Sequence, residues 1–155
     1  MADIYDKYKY CVYRTAFVYC RNSADAEDIT QDVFMKRFSS NISFSDEVKE
    51  KSWLLKVTAN KCKDMFRSLR YKYFISSVSL EEANLVYETP EESEVYHAVM
   101  ELPPKNRLVI HLYYYEEYSI REISGILGKS ESAVQTQLYR ARKQLKEILG
   151  EELQL

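Results

Sequence analysis

The chain has 155 residues, of which 46% are apolar and 30% are charged, and it contains three glycines and three prolines. This composition favours compact helical structure over disorder, allows one ordinary domain or two small ones, and leaves too little glycine for a phosphate-binding loop. The formal net charge of -2 at pH 7 would be unusual for a protein that grips nucleic acid alone, so the distribution of charge matters more than its sum.

The first half of the chain is predicted to form three helices. Apolar residues recur there at three- and four-residue spacing, which places the helices at about Ile4–Cys20, Ala24–Phe38 and Glu47–Leu69. Ser23 is a candidate N-cap for the second helix. The first turn of that helix also carries negative charge, which the helix dipole favours, on Asp25, Glu27 and Asp28.

The second predicted helix has two unlike faces. Its inward face would use Ile29, Val33 and Phe34. The other face presents polar and charged side chains to solvent or to a partner, namely Asp28, Gln31, Asp32 and Lys36. Without other evidence, a charged helix face is usually exposed to solvent and has no binding function.

The charge pattern reverses in the middle of the chain. Lys49–Lys72 contains eight cationic and two acidic residues, whereas Tyr73–Pro104 has no Lys or Arg and seven glutamates. We interpret Tyr73–Thr89 as an acidic linker between two helical domains, which predicts domains at residues 1–72 and 91–155 with a linker at 73–90. The alternative is a solvated loop within a single domain.

The second half is predicted to form four helices with chemically marked ends, at about Glu91–Glu101, Pro104–Tyr115, Ser119–Leu127 and Ser130–Leu149. Pro104 suits a first helical turn, and Ser119 with Glu122 forms a capping-box pattern. Gly128 can take the left-handed conformation that ends a helix, Ser130 can cap the next helix, and Gly150 can terminate it.

The segment Ile120–Tyr139 has the pattern of a helix-turn-helix. A small Ser124 permits close helix crossing, Gly128 makes the turn, and Val134 fixes the second helix against the first. The apolar face of the second helix is predicted core and consists of Val134, Leu138, Ala141 and Leu145, continuing to Ile148 and Leu149. A helical hairpin that merely packs is the alternative.

The opposite face of this second helix suits a major groove, because it mixes hydrogen-bonding, aromatic and cationic groups. It presents Ser132, Thr136, Tyr139, Arg140 and Lys143, with Gln135 and Arg142 on its flanks. Gln135 and Arg140 can make bidentate contacts to base edges, Thr136 can hydrogen-bond or touch a thymine methyl, and Lys143 can neutralise phosphate.

The sequence offers no catalytic constellation. Cys11, Cys20 and Cys62 are odd in number and never spaced as Cys-x-x-Cys, so we expect buried free thiols without zinc. His97 and His111 neighbour no catalytic partner. We therefore expect no enzyme, catalytic residue, metal or cofactor. The chain shows neither a basic-apolar leader nor roughly 18 consecutive apolar residues, so a cytoplasmic protein without membrane contact is expected.

Four segments of the second half resemble region four of bacterial sigma factors, in the extracytoplasmic-function group: Leu102–Arg107, Tyr118–Ile123, Ile126–Val134 and Leu138–Arg142. In that family this domain reads the minus-thirty-five promoter element. The resemblance implies minus-thirty-five contacts by Ser130, Ser132, Gln135, Thr136, Tyr139, Arg140, Arg142 and Lys143.

Two segments of the first half resemble sigma region two. Ala24–Phe34 is similar to the polymerase-binding helix, which implies that a clamp coiled coil of the largest polymerase subunit is contacted by Asp28, Gln31, Asp32 and Phe34. Trp53–Asn60, followed by Asp64 and Arg67, is similar to the minus-ten recognition helix. Its implied DNA contacts are Lys56, Asn60, Lys61, Lys63, Asp64 and Arg67.

Further expectations follow from this resemblance. Trp53 and Leu54 should pack the helix rather than touch DNA, and the loop Ser40–Glu50 is a weaker site for capturing an extruded base. The fold is then all-α, with a three-helix region two and a helix-turn-helix region four joined by the acidic linker. The implied partners are promoter DNA and core RNA polymerase, through its clamp coiled coil and the flap of its second-largest subunit. Whether an anti-sigma protein also binds is left open.

The chain departs from the family at three positions. Gln135 and Gln137 stand where relatives commonly carry basic residues, and Tyr113 replaces a frequent arginine. We therefore expect fewer phosphate contacts, weak DNA binding by the free protein and tight binding only with core polymerase. The segment Glu81–Glu94 either lies against the basic helix and inhibits it or is a plain soluble tether.

Two other functions fit parts of the sequence. A stand-alone helix-turn-helix regulator explains the second half but not the first. A helical protein-interaction adaptor would use the aromatic first helix, although such residues at helical spacing are more often core: Tyr5, Tyr8, Tyr10, Tyr13, Phe17 and Tyr19.

Overall fold

The computed structural model describes residues 2–68 and 93–150. These residues form helices, with no strand among them, which confirms the all-α prediction. The chain divides into two compact units, one holding the helices of residues 2–68 and the other those of residues 93–150. The proposed linker at 73–90 and the acidic segment Glu81–Glu94 lie outside the described residues, apart from its last two positions.

Three helices form the first unit: α1 (Ala2–Cys20), α2 (Ser23–Ser39) and α3 (Glu47–Phe66). Each packs against the other two. Their apolar stripes meet in a core whose fully buried members include Val12, Phe17, Ile29, Leu54 and Leu55. Burial of each such side chain contributes roughly 1.5–3 kcal/mol, so the apolar periodicity determines which helix faces point outward.

The start of α2 differs from the prediction by one residue. Asn22 is the N-cap, in an extended conformation with φ -146°, and its Oδ1 accepts a hydrogen bond from the Asp25 amide at 3.0 Å. Ser23 is the first helical residue, so its assignment as the cap was wrong. Asp46 caps α3 in the same way by accepting from the Lys49 amide at 2.8 Å.

A largely buried ion pair joins α2 to α3. Arg37 donates from Nε and Nη2 to Oε2 of Glu50 at 3.0 and 2.7 Å, and both side chains are only 14% and 13% exposed. The Arg37 guanidinium lies 5.0 Å from the ring centre of Phe44, and that ring lies 5.8 Å from Trp53. These contacts attach the loop before α3 to both helices.

The second unit contains α4 (Ser93–Met100), α5 (Pro104–Ile110), a π-helical turn (His111–Tyr115), α6 (Ile120–Leu127) and α7 (Glu131–Leu149). The predicted single helix from Pro104 to Tyr115 is thus an α-helix that widens into a π-helical turn. Two buried groups support this segment. Arg107 donates to the Leu102 carbonyl at 2.6 Å, and His111 Nε2 lies 3.4 Å from Oε1 of Glu116 with both side chains buried.

The predicted helix ends at Ser119, Gly128, Ser130 and Gly150 are confirmed, whereas the predicted start at Glu91 lies outside the described residues. Ser119 and Glu122 form a reciprocal capping box, with distances of 3.1 and 3.0 Å. Gly128 ends α6 at φ 65°, Ser130 caps α7 by accepting from the Ala133 amide at 3.1 Å, and Gly150 follows α7 at φ 89°. The α6–turn–α7 segment is therefore a helix-turn-helix by its local chemistry.

The apolar stripe of α7 is core for most of its length. Val134, Leu138, Ala141 and Leu145 are at most 1% exposed. Ile148, however, is 43% exposed, so the predicted continuation of the core stripe to that residue was wrong.

All three cysteines are buried as thiols, which confirms the predicted burial. Burial, and secondarily a hydrogen bond with Cys20, raises the pKa of the Cys62 thiol well above its ordinary value. Among the described helices, none is long and apolar enough to cross a membrane. The described residues also bring together no His, Cys, Asp or Glu cluster with metal-binding geometry.

Candidate functional site

The exposed face of α2 is acidic and polar. Asp28, Gln31 and Asp32 are exposed, whereas Ile29 and Val33 on the other side of the helix are buried. Gln31 and Asp32 lie one helical turn after Asp28, so the three polar side chains form one continuous surface. This surface is available to a protein partner.

Phe34 does not belong to this surface. It is only 3% exposed, its ring meets Tyr5 edge-on at 5.0 Å, and Phe38 lies 6.1 Å away. Its predicted placement among the docking residues is therefore corrected: Phe34 belongs to the core between α1 and α2. Met35, which the sequence analysis missed, is 68% exposed and lies four residues after Gln31, so it adds an apolar group to the acidic face.

The exposed face of α3 is mostly cationic. Lys56, Asn60, Asp64 and Arg67 are exposed at helical spacing along one side of the helix and its C-cap, and Lys61 and Lys63 are half-buried beside them. The opposite side is the core face, on which Leu55, Thr58, Ala59 and Cys62 are buried. Five of the six predicted residues therefore lie on the same side of α3, whereas the half-buried Lys61 lies about 100 degrees around the helix, at the border of the core face.

One of these residues is an acid among cations. An Asp64 carboxylate oxygen lies 3.7 Å from Nη1 of Arg67, and both side chains are more than 70% exposed. Such an exposed pair contributes little to stability. It does offset the negative charge of Asp64, so the carboxylate does not leave this face acidic.

The loop before α3 is exposed at its tip and anchored at Phe44. Asn41, Ile42, Ser43 and Ser45 are exposed, whereas Phe44 is half-buried against Arg37 and Trp53. Trp53 is half-buried and Leu54 is fully buried, so both pack the helix as predicted.

The polar face of α7 is exposed along its length. The exposed residues are Ser130, Ser132, Gln135, Thr136, Tyr139, Arg140 and Lys143. Tyr139 is 65% exposed. A bound partner could cover this large aromatic side chain. Ser130 accepts one hydrogen bond at its hydroxyl oxygen to cap the helix, so its proton and its second lone pair remain for a ligand.

One edge of this face is held by a chain of amide groups. Lys129 Nζ donates to Oε1 of Gln137 at 3.0 Å, and Nε2 of Gln137 donates to Oδ1 of Asn106 at 3.4 Å. Asn106 in turn donates to Oε1 of Gln144 at 2.5 Å. Burial, followed by repulsion from Lys105, lowers the pKa of Lys129. Gln137 therefore positions α7 on α5, a role that the sequence did not reveal.

The other edge is held by aromatic side chains of the π-helical turn. Nε of Arg142 donates to the Tyr114 hydroxyl at 2.6 Å, and the guanidinium carbon lies 5.2 Å from the ring centre of Tyr113 and 5.5 Å from that of Tyr114. Arg142 is half-buried, unlike the other predicted cations of α7. Local sequence patterns carry no signal for this contact because its partners lie 28 residues apart.

Two family models match the chain. The model of Sigma-70 region 2 matches residues 4–71 and that of Sigma-70 region 4 matches residues 92–145. These matches cover the first and the second structural unit respectively.

Curated proteins similar to the chain are sigma factors. The ECF RNA polymerase sigma factor SigW of Bacillus subtilis is 30% identical over 96% of this chain and 88% of its own length. RNA polymerase sigma factor SigV of the same organism is 30% identical over 90% of this chain and 85% of its own length. The ECF sigma factor BldN of Streptomyces coelicolor is 27% identical over 96% of this chain, which spans only 60% of that protein.

Solved structures agree on the fold. Sigma factor RpoE of Bartonella quintana, solved with the anti-sigma factor NepR, gives a TM-score of 0.71 at 19% identity and covers 99% of this chain and 100% of its own. CnrH, solved with the cytosolic domain of CnrY, gives 0.65 at 20% identity and covers 96% of this chain and 86% of its own. With both units matched by family models and 30% identity to SigW over nearly the whole chain, the chain belongs to the extracytoplasmic-function group of sigma-70 family sigma factors, which direct transcription initiation.

Proposed function

We propose that the chain binds core RNA polymerase and directs it to specific promoters in the cytoplasm, without being an enzyme. The proposal rests mainly on two exposed surfaces that differ in charge, one on each compact unit. One is the acidic face of α2, and the other is the polar and cationic face of α7. In both helices the apolar stripe is buried, so the polar face is available to a partner.

The acidic face of α2 is the proposed polymerase-binding surface. Asp28, Gln31 and Asp32 would contact the clamp coiled coil of the largest subunit, with Met35 as an apolar contact one turn beyond Gln31 and Asp32. Interfaces typically combine a desolvated apolar centre with a polar rim, and methionine adapts well to such a centre. The second unit is proposed to contact the flap of the second-largest subunit.

The cationic face of α3 is the proposed minus-ten surface. Asn60, whose amide can both donate and accept, is the proposed base reader, since paired donor and acceptor groups distinguish base edges. The remaining cations would neutralise phosphates, which supplies affinity without sequence information. They are Lys56, Lys61, Lys63 and Arg67.

The polar face of α7 is the proposed minus-thirty-five surface. Gln135 and Arg140 are exposed groups that can bond bidentately to base edges, and Thr136 lies between them on the same face. Lys143 and Ser132 are proposed phosphate contacts at the two ends of this face. Tyr139 is exposed enough to stack on or pack against the DNA.

Two further features complete the proposal. Residues 1–72 and 91–155 are the two working domains, with 73–90 as their acidic linker. An anti-sigma protein is a proposed regulatory partner, because sigma factor RpoE, which shares this fold, was solved with the anti-sigma factor NepR.

Capture of core polymerase by the tagged chain tests the first part of the proposal. Asp32→Ala should reduce the bound fraction at least fivefold, since it removes a charge from the centre of the acidic face. Asp6→Ala is a matched control, because Asp6 is an exposed acid of α1 outside this surface. Equal capture by both variants would contradict the proposed docking face.

In vitro transcription with core polymerase on a genomic fragment library tests the second part. The wild-type chain should produce transcripts from a small set of fragments that share a sequence motif. A stand-alone regulator would bind DNA but neither bind polymerase nor start transcription. A helical adaptor would show neither property.

A further inference from the structure

Arg142 is held in an unusual way for a surface arginine. Its Nε donates to the Tyr114 hydroxyl at 2.6 Å, and its guanidinium lies over the rings of Tyr113 and Tyr114. These two rings meet edge-to-face with centres 4.9 Å apart. Two neutral side chains therefore fix the guanidinium in place.

The base of this cluster is rigid. Tyr113 and Tyr114 belong to the π-helical turn, which is closed by a hydrogen bond from the Glu116 amide to the His111 carbonyl at 3.0 Å. The Tyr118 amide also donates to the Leu112 carbonyl at 3.0 Å. Beneath the turn, His111 and Glu116 are buried as a pair. The tyrosines therefore project from backbone that is fixed on both sides.

The cluster retains its positive charge and its hydrogen-bonding capacity. In the described part of the chain, no carboxylate pairs with Arg142, and only its Nε donates a hydrogen bond. Its terminal nitrogens thus remain available as a planar fork that fits a phosphate. The Tyr114 hydroxyl accepts from Arg142 and still has its own proton to donate.

The position of Arg142 on α7 directs the cluster to one side of a bound groove. At about 100 degrees per residue, Arg142 lies roughly 100 degrees from the middle of the stripe formed by Ser132, Thr136 and Lys143. When Thr136 in the middle of that stripe faces the bases, a side chain at this angle faces a wall of the major groove, which is about 12 Å wide. The wall consists of the sugar-phosphate backbone.

We infer that the Arg142 guanidinium and the Tyr114 hydroxyl together bind one backbone phosphate beside the minus-thirty-five element, with Tyr113 as a positioning residue. This inference rests on the proposed DNA-binding function of α7. The expectation of fewer phosphate contacts counted Tyr113 as a lost arginine. In this structure that tyrosine supports an arginine of another helix.

Single-site neutralisation of the DNA tests the inference. A short minus-thirty-five duplex carries one uncharged methylphosphonate, moved in turn along both strands, and its affinity for the reconstituted polymerase complex is measured. One position should weaken binding by the wild-type chain roughly tenfold, the loss of one charge-assisted contact. With Arg142→Gln the same position should weaken binding less than twofold, because the contact is already absent.

Tyr114→Phe removes one oxygen and keeps both aromatic contacts to the guanidinium. It should lower affinity about threefold for every promoter sequence and reduce the methylphosphonate effect at the same position. The matched control is Tyr115→Phe, in the same turn, with no change expected. Tyr114→Phe also keeps the test decisive if Arg142→Gln fails to fold, which thermal unfolding reveals.

Two results overturn the inference, and they are distinguishable. In the first result, the methylphosphonate at each position weakens binding equally in wild type, Tyr114→Phe and Arg142→Gln, while Thr136→Ala and Arg140→Ala still reduce discrimination between the intact and a scrambled minus-thirty-five element. This result would remove the phosphate site alone. In the second result, wild type, Thr136→Ala and Arg140→Ala all bind the intact and the scrambled element equally well. The proposed function of α7 then fails, and the inference fails with it.

Discussion

The ion pair between Arg37 and Glu50 is predicted to determine the stability of the first unit. Glu50→Ala leaves the guanidinium without its carboxylate at a site where it is only 14% exposed. Two hydrogen bonds, of 3.0 and 2.7 Å, converge on one carboxylate oxygen, so both are lost in one substitution. Arg37 keeps its contact with the Phe44 ring, whose centre lies 5.0 Å from the guanidinium carbon.

The magnitude follows from this burial. Removing one partner of a buried ion pair costs about 3–5 kcal/mol, because a charge remains buried and unpaired. The residual exposure and the ring contact place Glu50→Ala at the lower end, at about 3 kcal/mol. With a urea dependence of roughly 1 kcal/mol per molar for so small a unit, the unfolding midpoint should fall by about 3 M.

Trp53 makes the assay specific for the first unit. It is the single tryptophan of the chain and packs against Phe44, so its fluorescence reports urea unfolding of this unit alone. Asp6→Ala is the control, since its ion pair with Lys9 is exposed. The double variant Arg37→Met, Glu50→Leu should recover most of the stability, because apolar residues leave no unpaired charge. Equal midpoints for Glu50→Ala and Asp6→Ala would refute the reasoning.

Two further predictions concern the backbone and a buried thiol. Gly128→Ala should destabilise the second unit by about 1 kcal/mol, measured by calorimetry. The cause is the φ of 65° alone, since no atom lies within 4 Å of an added Cβ. Gly125→Ala is the control and should not destabilise the unit, because Gly125 is helical and equally open. Because burial raises the pKa of Cys62 in the folded state, the thiol loses its proton at a lower pH in the unfolded chain than in the folded chain. The free energy of unfolding of the first unit should therefore fall above about pH 9, by up to roughly 1.4 kcal/mol per pH unit. Cys62→Ala should reduce that slope in urea titrations followed by Trp53 fluorescence, and an unchanged slope would contradict the assignment.

The sequence was sufficient wherever a feature depends on neighbouring residues. The capping box of Ser119 and Glu122, the left-handed Gly128 and the cap at Ser130 were all predictable, because each uses atoms within a few positions. The exposed faces of α2 and α7 followed from helical periodicity in the same way. Asn22 and Ser23 mark the limit of this local reasoning, since both are good caps and only the backbone conformation decides between them.

Other features depend on contacts between distant parts of the chain. Phe34 lies where periodicity allows either face of α2, and its burial is decided by Tyr5 of α1. The half-buried position of Arg142 depends on Tyr114 in the same manner. The π-helical turn also lacked a signal in the apolar pattern, because its residues continue that of α5. Such features follow from packing between elements, which one-dimensional periodicity does not encode.

The two edges of α7 together explain how an uncharged contact can influence base recognition. A helix held by its apolar stripe alone can rotate slightly, and a rotation of about 10 degrees moves a side-chain tip some 8 Å from the axis by roughly 1.4 Å. Such a displacement exceeds the tolerance of a hydrogen bond to a base edge. Gln137 bonds to Asn106 on one edge and Arg142 bonds to Tyr114 on the other, so rotation in either direction stretches a directional bond. The side chains that would face the bases are thereby oriented by hydrogen bonds between residues that do not contact the bases.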